Sequence, residues 1–283
     1  MSLPRNKKNK HKKPYEDVFI YLIDGILNES DEFCFGSQFI GNWVEDTSSF
    51  LFFSAPADKE VESLVKLRDD LKLNDTFKFS YEEWQGGGFQ EIRIGNILIS
   101  PPWNSKHVSD EFIHVFLDPG VVFGNGLHAT TKDCVKALLY LARNEPYDYV
   151  LDIGTGTGIL AVTAGVLGAK GVIAVDLNPL CVKTAIKNAS LNCLDNIVTV
   201  AEGTAEDFIN EPADLIVANI HHEVVCKLFE DIRFRTHPKF IISGLMRSQA
   251  REVREQVEKY GLIVTHEWDH EMTWHTMLIQ NVK

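Results

Sequence analysis

Hydrophobic residues in the second half of the chain follow two alternating patterns. Short apolar runs, typical of buried strands, are separated by longer segments in which apolar residues recur with helical spacing. The runs lie at residues 150–153, 171–176, 197–201, 213–218, 239–243, 262–268 and 275–282, and the helical segments at 132–143, 179–192 and 248–260. This alternation predicts an α/β fold with a seven-stranded, doubly wound (Rossmann-like) sheet, whose last two strands are antiparallel neighbours.

The first hundred residues follow a different pattern. Runs at 18–24, 39–46 and 49–55 predict strands, and the spacing at 58–71 predicts a helix with Asp58 as its N-cap. Residues 90–100 predict two strands joined by Gly95-Asn96, a pair typical of a hairpin turn. We therefore expect a small α+β domain at 15–100, which includes a flexible loop at 86–88, a connector at 101–115, and the larger domain at 116–283.

The central motif of the chain is a glycine-rich turn that follows the run at 150–153. Asp152 precedes Gly154, Gly156 and Gly158, and a helix is predicted to begin directly after them. Such turns bring backbone N–H groups close to a ligand. A dinucleotide site requires a small residue at the position held by Ile159, so the spacing favours S-adenosylmethionine over a nicotinamide dinucleotide. A plain strand–turn–helix connection is the alternative.

The next apolar run ends in a second acid, Asp176. A right-handed crossover places this strand beside the first, and a carboxylate at its tip can accept hydrogen bonds from both ribose hydroxyls of a nucleoside. Alternatively, Asp176 is an N-cap ahead of Pro179. Two acid-tipped strands beside one glycine turn favour the ligand-binding interpretation.

Charge is distributed unevenly along the 283 residues. Six of the 28 lysines and arginines lie in residues 1–13, which contain no acid, so the remaining chain has 22 basic and 40 acidic residues, a formal net charge of −18. We predict a disordered basic tail over residues 1–14, which either contacts RNA or has no function. The acidic body argues against direct nucleic-acid recognition and favours a basic partner.

The composition also restricts where the protein works. No apolar run approaches the roughly 20 residues that span a bilayer, and no apolar stretch follows the basic N-terminus as in a secretory signal. Five cysteines occur without a Cys-x-x-Cys pair. This pattern predicts reduced thiols, a cytoplasmic location and no membrane partner.

A second glycine-rich segment, at residues 116–131, precedes the helix at 132–143. It contains Asp118-Pro119-Gly120, Phe123-Gly124 and Gly126, and ends in His128-Ala129-Thr130-Thr131. Either threonine is a natural N-cap for the helix. Alternatively, the segment is a loop that folds over a bound ligand.

This segment resembles the Asp-Pro-Gly-x-x-Phe-Gly-x-Gly-x-His-x-Thr-Thr signature of the PrmA family, bacterial methyltransferases of large-subunit ribosomal protein eleven. Other similar motifs follow in the family's order, over roughly residues 84–283: Trp84-Gln85 with 89–95, the glycine turn, Asp176 with Asn178-Pro179, Asn219-Ile220 and Ser243-Gly244. The resemblance implies methyl-donor contacts from Thr131, Gly154, Asp176 and Asn219. The sequence departs from the family pattern at Asn125, at Ala129 and at His221-His222-Glu223. The small domain is also shorter than that of the family.

The resemblance implies methyl transfer to a lysine or N-terminal amine, and that chemistry needs groups which hold a neutral amine. Asn219, at a strand tip, offers a side-chain and a backbone carbonyl, although it could simply cap a helix. The segment Asn219-Ile220-His221-His222 lacks the prolines and the stacking aromatic residue with which adenine methyltransferases clamp a base. His128, His221 and His222 are candidate bases, since imidazole titrates near neutrality; of these we select His128.

Glu206 and a cluster of three histidines are further candidates for ligand binding. Glu206 follows the third strand, where methyltransferases commonly hold the adenine amino group, or it is a solvated acid. With Gly156 and Gly158 it completes the predicted donor site. His266, His270 and His275 lack cysteine partners and zinc spacing, so no metal site is predicted.

The sequence thus predicts an S-adenosylmethionine-dependent enzyme that methylates amines of a basic, ribosomal protein. Two alternatives remain: the same chemistry on a lysine of another protein or on a small molecule, and a module that binds the methyl donor without catalysis.

Overall fold

The computed structural model describes residues 12–87, 90–104 and 111–282. The chain divides into two compact units, Met1–Gln90 and Glu91–Lys283. This division precedes the domain boundary expected at residue 100, and the hairpin at 90–100 falls mainly in the second unit. Most of the basic tail and Gly88 of the expected flexible loop lie outside the described residues.

The first unit is an antiparallel sheet covered by a helix. Its elements are β1 (Asp17–Asp24), α1 (Glu29–Glu32), β2 (Phe39–Glu45), β3 (Ser48–Phe53), α2 (Asp58–Leu67), β4 (Lys72–Ser80) and α3 (Tyr81–Trp84). The strand order is β2-β3-β1-β4. Val61 and Leu64 of α2 pack on Tyr21, Leu51 and Phe53, which forms the core of a small α+β unit.

Two details of this unit differ from the prediction. The helix α2 ends at Leu67 instead of Leu71, and Asp58 is its first residue, with Ala57 in the N-cap position. Strand β4 was not predicted; none of its residues is buried, although Phe77-Lys78-Phe79 alternates apolar and polar residues. It forms by pairing antiparallel with β1.

The second unit alternates strands and helices after an initial hairpin. Its strands are β5 (Ile92–Ile94), β6 (Ile97–Ser100), β7 (Ile113–Phe116), β8 (Tyr149–Ile153), β9 (Gly171–Asp176), β10 (Val198–Glu202), β11 (Leu215–Asn219), β12 (Lys239–Met246), β13 (Leu262–His270) and β14 (Trp274–Asn281). Its helices are α4 (Ala129–Asn144), α5 (Ile159–Val166), α6 (Pro179–Leu191), α7 (Ala205–Phe208), α8 (His222–Glu230), α9 (Ile232–Arg235) and α10 (Arg247–Lys259).

The predicted seven-stranded sheet is confirmed. Its order is β10-β9-β8-β11-β12-β14-β13. Strands β8 to β12 are parallel, and β14 runs antiparallel to both β12 and β13. Because the order reverses between β8 and β11, the carboxyl ends of these two strands form a topological switch point, where open α/β sheets bind ligands.

A second, three-stranded sheet lies in the same unit. Strands β5 and β6 form the predicted hairpin, with Gly95 at φ +59° in its turn, and β7 pairs parallel with β6. The connector expected at 101–115 therefore contains most of a strand. Residues 105–110, between β6 and β7, lie outside the described part of the chain.

Buried side chains on one face of the large sheet join it to α8, α9 and α10. Phe229, Phe234 and Phe240 meet in this core, with Val225 and Val253 beside them, all five fully buried. All five cysteines are free thiols. Across the described ranges, no helix has the length and apolarity needed to cross a membrane.

Candidate active site

The polar candidates for the site gather at one edge of the large sheet. The glycine turn follows β8, and Asp176 and Asn219 are the last residues of β9 and β11. Asn219 pairs in register with Ser243 of the neighbouring strand β12. Since β8, β9, β11 and β12 are parallel, these carboxyl ends meet at one edge.

Two glycines of the turn lie against neighbouring segments so closely that no side chain fits. Gly154 has φ +70°, and an added Cβ would overlap Cγ2 of Ile220, the residue after Asn219. Gly156 has φ +56°, and its Cβ would lie 2.7 Å from the backbone oxygen of Phe123. Glycine is required here both by the left-handed backbone and by the close approach of other chain segments.

Asp176 accepts hydrogen bonds that hold its carboxylate at the glycine turn. The backbone N–H of Gly156 donates to Oδ2 at 2.8 Å, and that of Asn178 donates to Oδ1 at 3.0 Å. The N-cap of α6 is Asn178, whose Oδ1 accepts from the backbone N–H of Leu180 at 2.9 Å. The alternative interpretation of Asp176 as the N-cap is therefore wrong.

The loop at 117–127 is anchored to the glycine turn and to α6. The Thr157 hydroxyl donates to the Gly124 carbonyl at 2.7 Å, and the Thr157 N–H donates to the Phe123 carbonyl at 3.1 Å. On α6, the Asn188 amide donates to the carbonyls of Asp118 and Thr157 at 2.9 and 2.8 Å. These bonds place the loop against the glycine turn, as the ligand-covering interpretation requires, and leave the Phe123 side chain 77% exposed.

His128 is the N-cap of α4, a position that the sequence assigned to Thr130 or Thr131. Its Nδ1 lies 2.7 Å from the Thr130 hydroxyl and accepts from the Thr130 N–H at 3.4 Å. The ring also meets Trp274 edge to face, with 4.9 Å between the ring centroids. Thr131 is buried in the first turn of α4, 4% exposed.

Asn219 lies beside a sharp bend in β12. Gly244 has φ +82°, and a Cβ there would be 3.1 Å from Asn219 Oδ1 and 3.0 Å from the Ile220 carbonyl oxygen. The same Ile220 packs on Gly154. The side chain of Ile220, the residue after Asn219, thus connects this strand end to the glycine turn.

The remaining candidates lie on the segments after β10 and β11. Glu206 forms an ion pair with Lys227 at 3.1 Å. Hydrogen bonding to its own backbone, and then to Lys227, lowers the pKa of Glu206. His221 is the N-cap residue of α8 without a side-chain capping bond, and His222 begins that helix.

Asp152, which is not among the site residues predicted from the sequence, lies beneath the glycine turn. It is 1% exposed, and its Oδ2 accepts from the Thr155 hydroxyl at 2.6 Å and from the Ala161 N–H at 3.1 Å. Burial raises the pKa of Asp152 to about 7. Leu177, also not among the predicted residues, is 69% exposed directly after Asp176.

Comparison with known proteins identifies the family of this chain. The sequence model of the family "Ribosomal protein L11 methyltransferase (PrmA)" matches residues 57–282. The chain belongs to the PrmA family. This confirms the resemblance drawn from the glycine-rich segment and the motifs that follow it.

Individual PrmA proteins give the extent of the similarity. The ribosomal protein L11 methyltransferase of Alkaliphilus oremlandii is 37% identical over 198 residues, which are 68% of this chain and 62% of that protein. That of Listeria monocytogenes is 35% identical over 224 residues, or 72% and 70%. The chain thus spans about three fifths of the length of the first of these curated relatives.

A solved PrmA structure has a similar fold. The ribosomal protein L11 methylase of Lactobacillus delbrueckii subsp. bulgaricus superposes with a TM-score of 0.60 at 28% identity, over 68% of this chain and 98% of that chain. The Rossmann-like architecture is therefore shared with a PrmA protein as well as predicted from the sequence.

Proposed function

We propose that this chain transfers methyl groups from S-adenosylmethionine to lysine or N-terminal amines of a ribosomal protein of the L11 type. The observation that carries this proposal is the loop at 117–127 bonded to a glycine turn that also binds the Asp176 carboxylate. Membership of the PrmA family supports the same reaction.

The residues at the sheet edge fit the methyl donor. Gly154 and Gly156 give the turn a left-handed backbone packed against Ile220 and Phe123, which a Cβ at either position would disrupt. Each Asp176 oxygen accepts one backbone N–H, and a carboxylate oxygen can accept a second bond, so the ribose hydroxyls have acceptors available. Gly158 at the start of α5 adds a helix N-terminus. Thr131 and Glu206 complete the proposed binding set.

The chain itself has to position an amine, exclude water and accept a proton. When bound, S-adenosylmethionine supplies a methyl group on a sulfonium with a good leaving group. The attacking nitrogen must first lose a proton, because a lysine amine is charged at neutral pH. We propose that Asn219 orients that amine through its carbonyl oxygens and that His128 accepts the proton. This role requires the tautomer in which Nδ1–H donates to the Thr130 hydroxyl, 2.7 Å away, and Nε2 is unprotonated; Nδ1 then no longer accepts from the Thr130 N–H.

We propose that the first unit and the negative charge of the protein recognise the target. The net charge of −18 outside the tail favours a basic protein such as a ribosomal one. We infer that the small α+β unit binds this protein in the cytoplasm, and that the basic tail has no required part in it. Hydrogen exchange of the full chain with and without L11 tests this. If the first unit binds L11, exchange in residues 17–80 should slow when L11 is added. If it does not, exchange in those residues should not change.

The decisive experiment follows methyl incorporation from labelled donor into purified L11, with mass spectrometry to locate the product. We expect multiple turnovers on L11 and loss of activity in Asn219→Ala. Asn210→Ala, an exposed asparagine after α7, is the matched control and should retain activity. Donor binding with no transfer to any amine would contradict an enzymatic role and favour a binding module.

A second target is favoured by one observation. The family model begins at residue 57, so β1, β2 and β3 of the first unit lie outside the match. The alternative function is therefore the same transfer to a lysine of another protein or to a small molecule. Labelling of purified ribosomal subunits and of free lysine, in parallel with L11, distinguishes these targets.

A further inference from the structure

Three potential metal ligands from two helices converge beside the candidate active site. His222 and Cys226 are one helical turn apart on α8, and Glu252 lies on α10. His222 Nε2 is 3.1 Å from Cys226 Sγ and 3.2 Å from Glu252 Oε2. The three ligand atoms all lie within 4.8 Å of one another.

The two helices that carry these side chains are held together by a packed core. Val225 of α8 and Val253 of α10 are fully buried in the same cluster. Gln256, one turn after Glu252, donates its amide N–H to the Cys226 carbonyl oxygen at 2.8 Å. The backbone positions of the three ligands are therefore fixed before any ion binds, which reduces the entropic cost of binding.

The donor set is that of a borderline-soft transition metal. Zinc binds imidazole nitrogen at about 2.0 Å and thiolate sulfur at about 2.3 Å, so tetrahedral ligation separates these two atoms by about 3.5 Å. The separation of 3.1 Å between His222 Nε2 and Cys226 Sγ approaches this value. Mg²⁺ and Ca²⁺ prefer oxygen ligands only and do not match a thiol with an imidazole.

The side chains of His222 and Cys226 are more buried than the side chain of Glu252. The His222 side chain is 12% exposed, Cys226 is partly buried, and the Glu252 side chain is 65% exposed. A His–Glu contact at that exposure contributes little to stability by itself. This contact alone is thus a weak reason for the three side chains to converge.

We propose that His222, Cys226 and Glu252 bind a zinc ion, with one coordination position left for water or an exogenous ligand. Such an ion bridges α8 and α10 at a point three residues after Asn219. It would therefore fix the segment that joins Asn219 to α8. The binding site itself does not depend on the proposed methyl transfer; only its consequence for Asn219 does.

This site was not predicted because its ligands are not close in sequence as a group. His222 and Cys226 have the i, i+4 spacing of one helix face, but Glu252 comes from a helix that begins 17 residues after α8 ends. The histidines that lie close together in the sequence are His266, His270 and His275, and these lack a cysteine partner.

The test uses the full-length, reduced protein titrated with Co²⁺ as a spectroscopic substitute for zinc. One equivalent should produce a sulfur-to-cobalt charge-transfer band, and added Zn²⁺ should remove it. Cys226→Ser should abolish the band and weaken zinc binding at least about 100-fold in a chelator competition, since even indirect contacts change metal affinity by about 10–100-fold. His222→Gln should weaken binding comparably, and Glu252→Gln at least about tenfold.

Cys193→Ser is the matched control, because Cys193 is an exposed thiol elsewhere in the same unit. It should retain the band and the zinc affinity. Circular dichroism establishes that each variant is folded. Zinc affinity unchanged in Cys226→Ser, or a band lost in Cys193→Ser and kept in Cys226→Ser, would overturn the proposal. Since no methyl transfer is measured, failure here is distinguishable from failure of the proposed function.

Discussion

Asp152 is expected to make the stability of this protein fall as the pH rises toward neutrality. Its carboxyl is buried beneath the glycine turn, and burial raises its pKa from 3.8 to about 7. A carboxyl with a raised pKa in the folded state favours folding most fully below pH 3.8. That contribution is lost as the pH rises to about 7, because the folded protein must then keep a buried charge.

Asp152→Asn should remove this cost without removing the hydrogen bonds. One amide oxygen can accept from both the Thr155 hydroxyl and the Ala161 N–H, which now share Oδ2. The interval between the two pKa values corresponds to about 4 kcal/mol at 1.36 kcal/mol per pH unit. The free energy of unfolding of the variant, minus that of the wild type, should therefore increase by about 1.4 kcal/mol per pH unit up to about pH 7 and then level off.

Urea unfolding followed by circular dichroism, from about pH 5 to about pH 8, measures this difference. Asp207→Asn is the control, because hydrogen bonds from Thr204 lower the pKa of that exposed carboxyl. Asp207 is ionised throughout the range, so its variant should differ from the wild type by a constant. A constant or decreasing difference for Asp152→Asn would show that Asp152 is ionised in the folded protein, and would refute the reasoning.

Three further predictions concern the candidate active site. Gly154→Ala should raise the dissociation constant for S-adenosylmethionine at least about tenfold in calorimetry, because the added Cβ overlaps Ile220 at a positive φ; unchanged affinity would remove this turn from the donor site. His128→Asn should keep the melting temperature, since asparagine is a good N-cap, but should slow single-turnover methylation if Nε2 is the base; an unchanged rate would limit His128 to capping. Asn219→Ala should lower the single-turnover rate at saturating donor, about 10²-fold, with Asn210→Ala unaffected; a rate equal to wild type would remove Asn219 from amine positioning.

Local patterns in the sequence were sufficient for the main architecture. The alternation of apolar runs and helical repeats predicted all seven strands of the large sheet and the helices α4, α6 and α10. Gly95-Asn96 predicted the hairpin, and the spacing of Gly154, Gly156 and Gly158 predicted the turn where Asp176 binds. These features depend on periodicity within one segment or on the backbone freedom of single residues, and both can be read without knowing the neighbours in space.

The tertiary structure decided which segments become neighbours. Residues 72–80 pair with the edge of β1, and residues 113–116 pair with β6. His128 rather than a threonine caps α4, in a position where its ring also meets Trp274. Neither the pairing nor the ring contact is encoded by the pattern of the segment itself.

The same reason separates the residues that the sequence located from those it missed. Asp176 and Asn219 could be selected as candidates from the sequence because each ends its own apolar run. Asp152 has its raised pKa because surrounding elements exclude water, and His222 approaches Glu252 because buried side chains fix α8 against α10. Burial and proximity across elements follow from the packing of the whole core, so only the folded chain determines them.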